Sequence, residues 1–274
     1  MKNTPLFTVV IANYNHGKYL NSALDSLVNQ DYQNFELFVI DAKSTDNSLE
    51  IIKKFEDRID WWISEPDSGQ SDAFNKGFKK ANGQFLFWLN ADDVLLPNSL
   101  SIAFDYIGKY PDFSWFAANT VFFDVNNIIT KCTNGPSWSD LLFDKGPINI
   151  YGPSSIFSKK IFDEVGGFDE NLHYTMDSDL WMRFQKKGYK FKRIHQYFWG
   201  FRIHSDSKTS HVFTEEPIPA FFEERKRILI KNEVVYSRIT IFGQKLYKIF
   251  SGLYMMSYID TMRNRGNLIK NLKF

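Results

Sequence analysis

The first 93 residues alternate without a break between short apolar runs and segments of helical period. "LFTVVIA" (6–12), "FELFVID" (35–41), "DWWIS" (60–64) and "QFLFWLN" (84–90) each end in a polar turn. Continuous apolar runs rich in β-branched and aromatic residues are the pattern of strands buried on both faces. Between them, "KYLNSALDSLVNQ" places apolar residues at 20, 23, 24, 27 and 28, a helical period. "LEIIKKF" supplies a second helix, with Ser44 or Thr45 as its expected N-cap. "AFNKGFKKA" supplies a third, ended by Gly83. An order β-α-β-α-β-α-β with connections of a few residues predicts an α/β fold. Its core is a mostly parallel, doubly wound (Rossmann-like) sheet with helices on both faces.

Ligands of such sheets sit outside the carboxyl ends of the strands. Asn13 and Asn15, Asp41, Asp67 and the pair Asp92–Asp93 all follow predicted strand ends. In "WLNADDVLLP" a buried strand runs straight into two adjacent carboxylates. A surface turn would use these residue types, because their side chains hydrogen-bond local backbone. A divalent-cation site would use them as ligands. Four Asp- or Asn-rich clusters on one sheet edge favour a binding cleft there.

The second half is less regular. "SWFAANTVFFDVNNIITKCT" predicts a hairpin turning at Asn126–Asn127, and "SWSDLLF" begins with a helix cap. "YGPSSIFSKKIFDEVGGFDENL" predicts a strand, a helix and a Gly-Gly stop. "MDSDLWMRFQKKG" predicts an amphipathic helix, and "KFKRI" and "YFWGFRI" two strands. The net charge of +1 gives the whole chain no electrostatic preference for nucleic acid. Cys132 is the only cysteine, so no internal disulfide forms, which fits a reducing compartment. The N-terminus lacks the small-residue cleavage site of a signal peptide, and no window of 18 apolar residues occurs.

Neither G-x-x-x-x-G-K-[ST] nor G-x-G-x-x-G is present, so phosphates are not cradled by a glycine loop. Cys132 has nothing beside it to activate it as a nucleophile. What the chain does carry is "FTVVIANYNHGKYLNSALDSLVNQDYQNFELFVIDAKSTDNS", "SEPDSGQSDAFNKGFKKANGQFLFWLNADD", "GGFDENLHYTMDSDLWMRF" and "FRIHSDSKT", in that order over about the first 210 residues. In these segments it resembles a family 2 glycosyltransferase of the GT-A fold, of the type found in bacterial polysaccharide biosynthesis.

The resemblance implies a hexosyltransferase-type enzyme. It would move a sugar from a nucleotide-sugar, a UDP-sugar first, to a hydroxyl of a glycan or lipid-linked acceptor. It assigns Ala12, Asn15, Asp41, Asp67, Asp72, Asn90 and Ala91 to the nucleotide-sugar, with Asp41 meeting the uracil or ribose. Asp92, Asp93 and His204 would hold Mg²⁺ or Mn²⁺, which stabilises the departing diphosphate. Asp177 would be the base for the acceptor hydroxyl, and Tyr151, His173, Tyr174, Asp179 and Trp181 would lie on the acceptor side. A single base opposite the leaving group implies one in-line displacement with inversion. Three positions depart from the family pattern. Asn90 stands where the usual acidic motif has its first Asp, Phe74 replaces a basic residue, and Met176 replaces the Glu before the catalytic Asp. Read without the resemblance, Asp177 is also a good helix N-cap and His204 a surface imidazole. Asn90 and Met176 favour an alternative, a nucleotide-sugar- or carbohydrate-binding protein that has lost catalysis.

The resemblance and the elements together give a catalytic domain over 1–214, split at 93/94 into donor and acceptor halves. A helical extension over 215–274 follows. From Arg225 onward eleven Lys and Arg face only Glu233 and Asp260, so this tail carries +9 and the remainder −8. Apolar residues at 239, 242, 246, 249, 250, 253, 256 and 259 form a helical stripe with Lys245, Lys248, Arg263 and Arg265 on or beside it. Such a helix either packs on the catalytic domain or lies on an anionic membrane face. The expected location is the cytoplasm, including the inner face of the cell membrane.

Overall fold

In the computed structural model, residues 5–143, 150–205, 207, 218–234 and 238–272 are described. The alternation read from the first 93 residues forms β1 (Phe7–Asn13), α1 (Gly17–Val28), β2 (Phe35–Asp41), α2 (Ser48–Lys54), β3 (Trp61–Ser64), α3 (Gln70–Lys80) and β4 (Phe85–Asn90). These four strands pair in parallel in the order β3-β2-β1-β4. Their register is in step: Asn13 lies level with Asp41, Ala12 with Asn90 and Asp41 with Ser64. The carboxyl ends therefore share one edge. Alternate residues of β1 feed two cores, Val9 and Ile11 into one and Val10 into the other. The first core is covered by α1 and α2, the second by α3. At Gly77 a Cβ would come 2.6 Å from Val10 Cγ1, so α3 reaches the sheet only without a side chain there.

The chain continues through β5 (Val94–Leu95), α4 (Ser99–Lys109), β6 (Trp115–Phe123), β7 (Ile129–Thr133) and α5 (Asp140–Phe143). It goes on through β8 (Ser155–Ser158), α6 (Lys159–Glu164), α7 (Met176–Lys186) and β9 (Lys192–Arg202). β8 joins β4 antiparallel, and the path runs on through β6 and β9 to β5, with β7 hairpinned onto β6. β5 starts four residues after β4 ends, yet it closes the far end of this path. The sheet must therefore curl, which brings the end of β9 back beside the end of β4.

Three expectations are corrected. The predicted strands in "KFKRI" and "YFWGFRI" are one strand, β9, because register shifts against β6 around Asn119 absorb the polar residues between them. Neither Ser44 nor Thr45 caps α2, whose N-cap is Asn47. Ser44 is instead spent on Asp41, Asn13 and Asn15. The tail stripe is also not one helix. After α8 (Pro219–Lys231) come α9 (Arg238–Phe250) and α10 (Leu253–Asn264), broken at Gly252, which has φ 71°. The boundary proposed at 214/215 and the side chain of Ile239 lie outside the described residues. α8 is part of the fold, since Ile228 is fully buried in the second core. α10 lies on β7, where Thr261 Oγ1 accepts from the Cys132 amide. Among the described residues no helix is long and apolar enough to cross a membrane.

Candidate active site

A cleft of about 700 Å³ opens along the carboxyl ends of β1, β2 and β4 and is closed on its other side by residues 151–153, 173–177 and the end of β9. Ala12, Asp67, Asn90, Ala91, Asp92, Tyr151, His173, Tyr174 and Asp177 all line it. The sequence clusters thus meet at one place. Asp67, Asp41, Asp72 and Asn15 act differently from one another. Asp67 faces the cleft, and burial raises its pKa above the usual carboxylate value. Asp41 is wholly buried below the floor, where it accepts from Asn13 Nδ2 (2.7 Å), Ser64 Oγ (2.6 Å) and the Ser44 amide (3.0 Å). It braces the strand ends and presents no free oxygen to the cleft. Asp72 holds the Ser68 amide and pairs with Lys76. Asn15, in a left-handed conformation that Asn tolerates, holds the Thr45 amide.

The metal candidates separate sharply. Asp92 Oδ2 lies 2.9 Å from His204 Nε2, and the antiparallel register of β5 and β9 is what delivers His204 to it. His16, at the start of α1, completes a group in which one ligand atom from each of His16, Asp92 and His204 lies within 4.8 Å of the others. His204 Nδ1 is buried without a hydrogen-bond partner. Two imidazoles and a carboxylate drawn this close together are a donor set that fits a divalent metal ion. Sequence reasoning missed His16. Its only signal was its place after the first strand, on the edge where the other clusters gather.

Asp93 is corrected. It points into the fold, accepting from the Arg202 amide (2.9 Å) and Asn90 Nδ2 (2.8 Å). Burial, then the neighbouring Asp92 charge, pushes its pKa well up. Asn90 is explained by the same contacts. Its Nδ2 serves Asp93 while its Oδ1 accepts from Gln70 Nε2 (2.8 Å). An Asp at 90 would set two carboxylates against each other at hydrogen-bond distance. Phe74 is also accounted for. It is buried against Trp88 and Phe78, as an apolar ring in the second core.

On the opposite wall, Asp177 opens α7 and faces the cleft, while its surroundings raise its pKa chiefly by desolvation. Gly152 presses on it. A Cβ there would meet Trp88 Cζ2 at 2.4 Å and Asp177 Oδ2 at 3.1 Å. Two acceptor-side expectations fail. Asp179 is fully buried, bound to Arg183 Nε (2.7 Å) and Asn232 Nδ2 (2.9 Å). Trp181 is fully buried and stacked on Trp115 at 4.9 Å. Successive helical residues turn by about 100°, so residues 177 and 179 face nearly opposite ways. Cys132 is excluded as a nucleophile, because burial pushes its thiol up to about 12.

A residue not singled out from sequence shapes this wall. Glu224 of α8 accepts from the amides of His173 (3.0 Å), Tyr174 (2.8 Å) and Thr175 (2.7 Å) and from Thr175 Oγ1 (2.8 Å). Burial opposes its charge, yet these bonds outweigh burial and hold its pKa below the usual value. The loop that carries His173 and Tyr174 into the cleft is thus pinned from beneath by α8.

Residues 8–166 match the model of Glycosyl transferase family 2. The chain is 30% identical over 208 residues to an uncharacterized glycosyltransferase of Methanocaldococcus jannaschii, covering 73% of this chain and 71% of that protein. It is 26% identical over 193 residues to one of Rickettsia typhi, covering 66% and 59%. The chain thus spans less than two thirds of some of the relatives it matches. S. aureus TarS in complex with UDP-GlcNAc superposes with TM-score 0.62 at 20% identity, over 82% of this chain and 65% of that one. The mannosyltransferase PcManGT from Pyrobaculum calidifontis, in complex with GDP-Man and Mn²⁺, gives 0.58 at 14%, over 95% and 84%. These likenesses establish the GT-A fold.

Proposed function

The chain belongs to glycosyl transferase family 2, and on that premise we propose that it transfers a sugar from a nucleoside diphosphate sugar to an acceptor hydroxyl with inversion. The observation that carries this reading is the cleft itself, with the His16–Asp92–His204 group at the strand ends and Asp177 on the facing wall. UDP-sugars are the first donors to test, since TarS is seen with UDP-GlcNAc; PcManGT, seen with GDP-Man, makes guanosine donors the second. The acceptor in this proposal is a hydroxyl of a glycan or of a lipid-linked acceptor.

Each side chain has a task in this reaction. The strand-end residues Ala12, Asp67 and Asn90 bound the donor subsite. A Mn²⁺ or Mg²⁺ ion held by His16, Asp92 and His204 would neutralise the charge that develops on the departing diphosphate. Asp177 takes the proton of the acceptor hydroxyl, and its desolvated setting makes it a stronger base than a free carboxylate. Tyr151, His173 and Tyr174 position the acceptor. Since Asn90 is matched to Asp93 and Gln70, the departure from the usual acidic motif supports an intact site rather than lost catalysis.

The test is a thermal-shift series of nucleotide-sugars with Mn²⁺ or with EDTA, followed by an assay for nucleotide release. A ligand that binds only the native state raises the apparent melting temperature. Expected are a metal-dependent rise with at least one UDP- or GDP-sugar and nucleotide release with an added acceptor. Binding without release under any acceptor tried, including water, would favour the non-catalytic alternative.

A further inference from the structure

α10 is mounted with its polar side inward. Ser257 Oγ accepts from the Asn134 amide (2.9 Å), Asp260 from Tyr197 OH (2.7 Å) and Thr261 Oγ1 from the Cys132 amide (2.9 Å). Its solvent side carries Met255, Tyr258 and Met262, each 60–63% exposed. These lie at i, i+3 and i+7, one face of the helix. α9 presents Phe242 and Ile249 likewise, and Phe250 at the turn between the helices is 84% exposed. A helix that only closed a globular core would show the reverse arrangement.

The exposed charges that α9, α10 and the segment after them contribute to this face are basic. Lys245 lies between Phe242 and Ile249 on α9, and Arg263, Arg265 and Lys270 are exposed around the end of α10. Between residues 238 and 272 the single acidic residue is Asp260, and it faces β7. We propose that the outer face of α9 and α10 is a seating surface for an anionic lipid bilayer. Its Met, Tyr, Phe and Ile side chains enter the headgroup boundary, and Lys245, Arg263 and Arg265 meet anionic headgroups. A second copy of the chain is a poorer occupant. A two-fold contact brings each patch onto itself, so its uncompensated basic residues would face their own kind. The polar inner face stays on β7, so seating needs no rearrangement of the catalytic fold. The proposal does not depend on the reaction, since vesicle binding is read without donor or acceptor.

The test is flotation of the full chain with vesicles of equal phosphatidylglycerol and phosphatidylcholine, or of phosphatidylcholine alone, at about 0.1 M and about 1 M salt. Wild type is expected to float with the anionic vesicles at low salt, with binding about tenfold weaker at high salt or on the neutral vesicles. The double variant Met255→Glu with Met262→Glu should lose about tenfold or more while keeping the wild-type melting temperature, because both side chains project from the fold. Lys245→Glu with Arg265→Glu should lose binding to a similar extent. No flotation of wild type at low salt overturns the proposal, as does wild-type flotation by the Met variant. It is overturned equally if wild type sediments as a dimer and the Met variant as a monomer.

Discussion

Two pairs of carboxylates, Asp92–Asp93 on the donor wall and Asp177–Asp179 on the acceptor wall, are built alike. In each, one member faces the cleft and the other is buried behind it, holding a different element in place. Asp93 fastens β9 through the Arg202 amide, and Asp179 fastens α8 through Asn232. They differ in compensation. Asp179 has an ion pair to Arg183, whereas the hydrogen bonds to Asp93 from Asn90 and the Arg202 amide come from neutral groups. Burial, with the Asp92 charge beside it, pushes the Asp93 pKa well up.

The largest effect that could break this pairing of roles is on Asp177. Asp177→Asn is expected to lower transfer about 10²–10⁴-fold with the melting temperature unchanged. Asp179→Asn should do the reverse, costing about 3–5 kcal/mol in denaturant unfolding because Arg183 loses its partner. If the phenotypes are exchanged, the facing and the supporting carboxylate have been confused. On the donor wall, Asp92→Ala and His16→Ala are expected to cut Mn²⁺-dependent turnover about 10²-fold or more and to remove the metal-dependent thermal shift. A fully metal-responsive His16→Ala protein would take that residue out of the site.

Glu224→Gln sharpens the comparison from the side of α8. One amide oxygen cannot replace both carboxylate oxygens, so unfolding should cost about 1.5–3 kcal/mol less. KM for the acceptor should rise while the thermal shift with donor is kept. A change confined to donor binding would contradict the placement of His173 and Tyr174. The smallest effect is on the pH profile. Asp177 must be ionised to act, and its pKa is raised, so the rate should fall with decreasing pH at a higher pH than an ordinary carboxylate would give. If the acidic limb lies at the ordinary carboxylate value, another base is at work.

The first half of the fold was legible because parallel strands buried on both faces write themselves as unbroken apolar runs, from "FTVVIA" to "FLFWLN". β9 reads as two strands in the sequence because its middle, at His195 and Gln196, is exposed and polar. His16 was invisible for a different reason. It stands 76 positions before Asp92, and a lone imidazole in a polar loop has no local signature. The stripe in the tail reads as one helix because periodicity runs through Gly252 without registering the turn there.

By itself the sequence determined the alternating sheet, the edge on which its polar clusters gather, and the charged residue types available there. Those follow from local propensity and from the period of burial, which are written in neighbouring residues. Which of two adjacent carboxylates faces the cleft, that His16 and His204 meet at Asp92, and that α10 turns its apolar side outward were decided only by tertiary structure. Each depends on the rotation of a helix or on the curl that returns β9 to β4. A residue's neighbours in the chain do not encode such angles; they are fixed when the elements pack.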